Sequence, residues 1–239
     1  TKSKNVHLMQ QFFTPDIDLT SENYSFNEVE SKHIAKVLRK NIGDLLHITD
    51  GKGQLITAKL SVVSPKSCSV KLLEIKEIPA PKTAIHMLVA PTKNINRFEW
   101  FLEKATELGV YKITPLLCDR SERKHIKHER CEKIIHAALK QSLRAYAPIL
   151  TPFTPLKQIA VNGLTLMAHC ADSPKKSLKD VVNAQAECSI LIGPEGDFSK
   201  AEIAWADAQN ITAVHLGNNR LRTETAALAA LHTALLMNQ

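Results

Sequence analysis

Two rhythms of apolar and polar positions divide the chain. From Leu45 to Ile78 short runs of strand-forming residues are separated by Asp50-Gly51-Lys52-Gly53 and by Ser64-Pro65-Lys66-Ser67. That alternation predicts a hairpin and a second turn in a small antiparallel β domain. One short helix over about Glu28 to Leu38, ending near Gly43, is expected ahead of it. Pro79 to Lys82, PAPK, breaks the pattern and marks a boundary between residues 1–78 and 79–239.

Beyond the break, apolar strands alternate with helical periodicity. Strands are predicted at Ile85–Val89, Ile113–Leu117, Leu164–Ala168, Ser189–Ile192 and Ile211–Leu216. Phe98, Phe101, Leu102, Ala105 and Leu108 recur at helical spacing, with Asn96 and Glu99 as a capping box and Gly109 as the stop. A long helix is expected over Glu129 to Arg144, one capped by Ser199 with Glu202 at its third position, and one over Glu224 to Leu236. Uniformly apolar strands between helices indicate a parallel sheet covered on both faces, so the second domain is α/β.

Composition narrows the class. With 239 residues, 44% hydrophobic, and only 8 Gly and 11 Pro, the chain can bury a sizeable core. Its five cysteines form no CxxC pair, and the spacing of His125 and His128 suits a solvated surface better than a metal site. No apolar run approaches the ~20 residues of a membrane span, and the opening TKSKNVHLMQQFF lacks a signal-peptide core. A cytoplasmic protein with no metal and no membrane contact is expected. The formal charge is +7. Six basic residues lie between Asp119 and Lys133 against four acids, which favours an anionic partner.

Ligands of open α/β sheets bind where loops leave the carboxyl ends of strands. Three such ends stand out: Leu166 to Cys170, the loop Gly193-Pro194-Glu195-Gly196, and the stretch LGNNRLRTETAAL from Leu216 to Leu228. Gly193, Gly196 and Gly217 let a backbone approach a bulky ligand or adopt angles other residues resist. No GxGxxG follows the first strand and no GxxxxGK[ST] occurs, so Rossmann and P-loop sites are unsupported. The residues point to a pocket without naming its contents.

LIGPEGDFSKAEI (191–203) and LGNNRLRTETAAL (216–228) closely resemble the bacterial 16S rRNA (uracil-N3)-methyltransferases of the knotted methyltransferase superfamily. KATELGV (104–110), PLLCDRSERK (115–124), ALKQSLRAYAP (138–148) and HIAKVLRKNIGD (33–44) match in the same order. The resemblance implies an N-terminal PUA-like β-barrel domain that binds RNA and a C-terminal α/β domain with a deep trefoil knot. It further implies S-adenosyl-L-methionine as methyl donor, 16S rRNA of the small ribosomal subunit as substrate, and a homodimer. By motif, Leu166, Ala168, His169, Gly193, Pro194, Glu195, Gly196, Leu216, Gly217, Asn218, Leu221 and Arg222 would hold the cofactor. The sequence departs from the family pattern at Asp197, where a second glycine is usual. It also departs at Asn218-Asn219, at Lys140 in place of a glutamate, and at Gln10-Gln11 in place of a basic stretch.

A uracil N3 must lose its proton to become a good nucleophile, and a donor near O2 or O4 would stabilise the anion. Arg222 is the first candidate for that donor. Glu224 is a candidate base, with orientation of Arg222 or a favourable place at a helix start as its alternatives. Arg39, Lys93, Arg120, Arg123, Lys124, Gln141 and Arg144 are expected to contact RNA. Two other readings share parts of this pattern: a 2′-O-ribose methyltransferase of the same fold, and a non-catalytic RNA-binding protein.

Overall fold

The computed structural model describes residues 10–182 and 187–238. The first nine residues of the stretch read as lacking a signal peptide lie outside the described residues. The chain divides into two compact units, one running up to Ala80 together with Leu139–Ala147, the other comprising Pro81–Ala138 and Pro148–Gln239.

The first unit holds β1 (Gln11–Phe13), β2 (Asn23–Ser25), helix α1 (Glu28–Lys32), β3 (Leu45–Thr49), β4 (Gln54–Val62) and β5 (Ser69–Glu77). They form a five-stranded sheet in the order β1-β3-β4-β5-β2. β3, β4 and β5 are antiparallel neighbours, while β1 joins β3 in parallel. One face packs Phe12, Ile48 and Ile56 against Phe26, Ile34 and Leu60. The expected helix to Leu38 is two pieces: α1, capped by the Asn27 side chain, and a π-helical turn over His33–Val37.

The stretch Leu139–Ala147 belongs to this unit, which local periodicity could not show. The helix α3 (His128–Gln141) ends three residues before the expected Arg144. Its continuation is drawn into bonds with the small sheet: Gln11 Nε2 donates to Arg144 O at 2.8 Å and Thr49 Oγ1 to Ala145 O at 3.2 Å. Lys140, the departure from the family glutamate, pairs with Glu30 at 3.2 Å.

The second unit runs β6 (Ala84–Val89), α2 (Ile95–Leu108), β7 (Lys112–Leu117), α3, β8 (Ile149–Leu150), β9 (Thr154–Pro155), β10 (Thr165–Ala168), β11 (Lys176–Ser177), α4 (Leu178–Val182), β12 (Glu187–Ile192), α5 (Lys200–Ala208), β13 (Thr212–His215) and α6 (Thr223–Leu236). The sheet order is β11-β13-β10-β12-β6-β7-β8, with β9 also on β7, and every pairing is parallel. Two apolar layers cover it. One brings Phe98, Phe101 and Leu102 of α2 and Ala227, Ala230 and Leu231 of α6 onto Ile85, Met87 and Ile190. The other holds Leu88, Leu191, Phe198 and Ala206.

Two helix signals resolve differently. Ser199 and Glu202 make the full capping box at α5. At α2 the cap is Asn94, not Asn96: the Asn94 side chain accepts the Asn96 N–H at 3.1 Å. Glu99 instead grips Arg130 through both carboxylate oxygens, at 2.5 and 2.7 Å. Gly109 closes α2 at φ 100, as the spacing predicts.

Candidate functional site

Register places three strand ends side by side. Ala168, the last residue of β10, pairs with Ile192, the last of β12, and with Val214 near the end of β13. The loops that follow therefore leave the sheet at one level and enclose a cleft. The cleft has a larger lobe of about 640 Å³ and a smaller one of about 320 Å³, which share Ala168, Cys170, Asp197, Arg220, Leu221 and Ala226 as lining.

Most of the residues read from the sequence as cofactor contacts meet there. Ala168, His169, Gly196, Leu216, Gly217, Asn218 and Leu221 line the larger lobe. Gly193, Pro194, Glu195, Leu221 and Arg222 line the smaller one. Leu166 does not: it is fully buried in the core beneath the strand end, because its side chain projects into the sheet's packed layer.

Gly217 and Gly193 serve different ends. Gly217 sits at φ 115, where an L-residue is strained, and a Cβ there would project into open space. Gly193 lacks such an angle; a Cβ on it would come within 3.1 Å of the Phe198 ring. Its small size admits Phe198, so the close approach is to the protein's own core. Asp197 takes φ 63. Its N–H closes a turn onto Pro194 O at 2.9 Å, and its carboxylate accepts the Cys170 N–H at 2.9 Å. The residue in place of the usual glycine thus keeps the left-handed turn and links two walls of the cleft.

Much of the basic segment braces this loop. Arg123 donates to Thr92 O at 3.0 Å and Lys93 O at 2.6 Å. Glu195 accepts the Lys93 N–H at 2.9 Å, and the Lys93 ammonium pairs with Glu122 at 2.7 Å. Arg120 donates to Gly196 O at 2.8 Å. Glu202 reaches back to Asp119 N–H at 2.8 Å while Ser199 donates to Asp119 at 2.6 Å. Lys93, Arg120 and Arg123 are expected RNA contacts; the fold engages Arg120 and Arg123 with carbonyls and Lys93 with Glu122, and leaves Lys124 exposed. Of the remaining candidates, Arg39, Gln141 and Arg144 belong to the first unit. Arg39 and Gln141 are exposed; Arg144 is half-buried, and burial lowers its guanidinium pKa.

Arg222 is exposed at the N-cap of α6 beside the smaller lobe. Thr223 anchors this helix start by donating to Gly193 O at 3.1 Å. Glu224 turns elsewhere. It is 8% exposed, faces Arg97 Nε at 3.8 Å, and lines neither lobe. One carboxylate oxygen, Oε2, is buried without a partner.

Sequence reasoning did not single out Lys175, Phe198, Lys200 or Arg220, all of which line the larger lobe. Arg220, in both lobes, lay within the quoted loop and its charge could have marked it. His169 is buried with both ring nitrogens unpartnered; burial first, and Lys175 second, lower its pKa, which favours the neutral imidazole. A cleft of this kind, glycine-turned and rimmed by Arg120, Lys200, Arg220 and Arg222, suits a sizeable ligand next to an anionic one. Among the described residues no group of three or more His, Cys, Asp or Glu could hold a metal ion, and no helix is long and apolar enough to cross a membrane.

Residues 79–235 match the family model of the RNA methyltransferase domain, and residues 26–73 that of the RNA methyltransferase PUA domain. The chain belongs to the RNA methyltransferase family. Its PUA-like unit precedes an α/β methyltransferase unit of the knotted superfamily, the order that the family motifs imply. Among solved members, a probable rRNA-methyltransferase from Porphyromonas gingivalis is 35% identical, with a TM-score of 0.86 over 95% of this chain and 98% of that one. A ribosomal RNA small subunit methyltransferase E from Neisseria gonorrhoeae, bound to S-adenosyl methionine, is 26% identical with a TM-score of 0.83, over 93% and 95% of the two chains. The protein of the same name from Synechocystis sp. is 31% identical over 83% of this chain and 68% of its own length.

Proposed function

We propose that this protein transfers a methyl group from S-adenosyl-L-methionine to N3 of a specific uridine in 16S rRNA of the small ribosomal subunit. The observation that carries the reading is the cleft at the level ends of β10, β12 and β13, formed by the loops whose residues match the family. The relatives named for small-subunit rRNA methylation, one with the cofactor bound, support the activity and the donor.

The cleft fits the cofactor's demands. Gly217 leaves open space where a side chain would stand, and the two lobes give room for a bent ligand. Ala168, His169, Gly193 to Gly196, Leu216 to Asn218 and Leu221 would hold it. Bound there, the cofactor supplies an electrophilic methyl group on a sulfonium. The chain's residues supply position and charge. Arg222, exposed at the smaller lobe, stabilises the uracil anion left when N3 loses its proton. Glu224 lines neither lobe and faces Arg97 at 3.8 Å, which supports the structural role weighed for it, and the N3 proton passes to solvent. Lys124, Arg39, Gln141 and Arg144 contact RNA, with Arg120, Arg123 and Lys93 serving chiefly to brace the loops. The protein acts in the cytoplasm as a homodimer.

Arg222→Ala tests the catalytic assignment. It is expected to keep cofactor affinity in calorimetry while methyl transfer to small subunits falls about 100-fold. Undiminished transfer would remove Arg222 from the reaction.

A further inference from the structure

The first unit carries a cavity of its own, of about 340 Å³. Its floor is a cross-strand row on the face of the sheet opposite the core. Gln11 pairs with His47, His47 with Thr57 and Thr57 with Glu74. The next row, Phe12, Ile48, Ile56, points into the core, so strand alternation turns the polar row outward. Leu55 and Lys76, themselves register partners, extend the floor, and Leu143 forms a wall.

That wall is held firmly. Besides the bonds from Gln11 and Thr49, Gly53 N–H donates to Ala145 O at 3.0 Å, Ala147 N–H to Gly51 O at 2.8 Å, and the Tyr146 hydroxyl to Ile78 O at 2.7 Å. Leu143 sits within this fixed segment at φ 54, a conformation that strains a branched side chain. Its side chain gains little burial in return, being 41% exposed. Leu143 takes this angle as the residue that stops α3, with Arg144 N–H donating back to Leu139 O at 3.3 Å, and the stop leaves its side chain exposed beside the polar floor.

The chemistry of the floor narrows the ligand. Among the described residues neither Glu74 nor Lys76 has an ion-pair partner. A phosphate would meet the Glu74 carboxylate, and an aliphatic group would desolvate two charges for nothing. A planar heterocycle satisfies both demands: apolar faces toward Leu55 and Leu143, and a hydrogen-bonding edge toward the polar row. Guanine alone among the RNA bases offers two adjacent N–H donors to one carboxylate, with a carbonyl oxygen beside them for an ammonium.

We propose that this cavity takes an unpaired guanine of the RNA substrate, with Glu74 accepting from N1–H and N2–H and Lys76 donating to O6. The assignment rests on the RNA methyltransferase reading of the chain. It gives the first unit a base-specific contact, beyond general attraction to phosphates.

The test compares two labelled eight-nucleotide RNAs, all-uridine and the same with one central guanosine, by fluorescence anisotropy with the full chain at fixed salt. The guanosine RNA is expected to bind about tenfold tighter, the equivalent of one good base contact. Glu74→Gln should abolish that preference. Leu143→Gly should weaken the preference without lowering Tm, since glycine relieves the backbone strain; a lower Tm with the preference intact would make Leu143 a packing residue and remove the wall from the site. Equal binding of the two RNAs, or a preference that survives Glu74→Gln, overturns the proposal. Methyl transfer to small subunits, measured on the same preparation, separates the two levels: transfer without guanine preference sinks only the cavity assignment, while absence of transfer sinks the reading beneath it.

Discussion

At the scale of single residues, Asp197 shows how a departure from a family pattern is absorbed. Glycine tolerates its left-handed turn freely; aspartate tolerates it better than most residues and adds a carboxylate that binds Cys170 N–H at 2.9 Å. Asp197→Ala should lose about 1–2 kcal/mol in urea unfolding, from backbone strain plus the lost hydrogen bond. Asp197→Gly should fall between Ala and the parent. If Ala and Gly destabilise equally, the turn carries no strain. The sequence marked Asp197 as unusual, but its partner Cys170 lies on another strand's loop and only topology reveals it. Glu224 repeats the point. It lies two residues from Arg222 in sequence, yet it faces Arg97 on α2 in space, because α2 and α6 cover the same face of the sheet.

Elements were legible wherever their signals are local. Ser199 with Glu202, Gly109 at the end of α2, and the apolar strands all appear where spacing placed them. Misplacements arise where long-range partners compete. Glu99 leaves the expected capping box for Arg130, and α3 stops at Gln141 because the following residues bond to the small sheet. A polar relay across the large sheet was likewise invisible in the strand pattern. His86 on β6 contacts Thr114 on β7 at 2.7 Å, and Thr114 contacts Thr151 at 2.6 Å. Burial, followed by Lys112, pushes the His86 pKa down to about 4. The unfolded chain, with an ordinary histidine near 6.5, therefore binds more protons between those values. Stability is full above about pH 6.5 and falls as pH drops toward 4, by at most about 3 kcal/mol from this group. Urea unfolding across that range should show the decline, and His86→Gln should flatten it. An unchanged slope would place the acid sensitivity elsewhere.

For the molecule as a whole, two units with different chemistry share one chain. The site loops were readable as a ligand pocket from their glycines and their position after strands. The cofactor and the substrate came from the resemblance, since no spacing rule encodes S-adenosylmethionine or uridine. Topology supplied the rest: level strand ends, basic side chains turned into braces, and a second cavity on the small sheet. Methylation of a 16S rRNA uridine at N3 is tested by incubating the protein with labelled S-adenosylmethionine and isolated small ribosomal subunits, then digesting the RNA to nucleosides. Label in N3-methyluridine is the predicted result; label in a 2′-O-methylated nucleoside, or none in RNA, would contradict it.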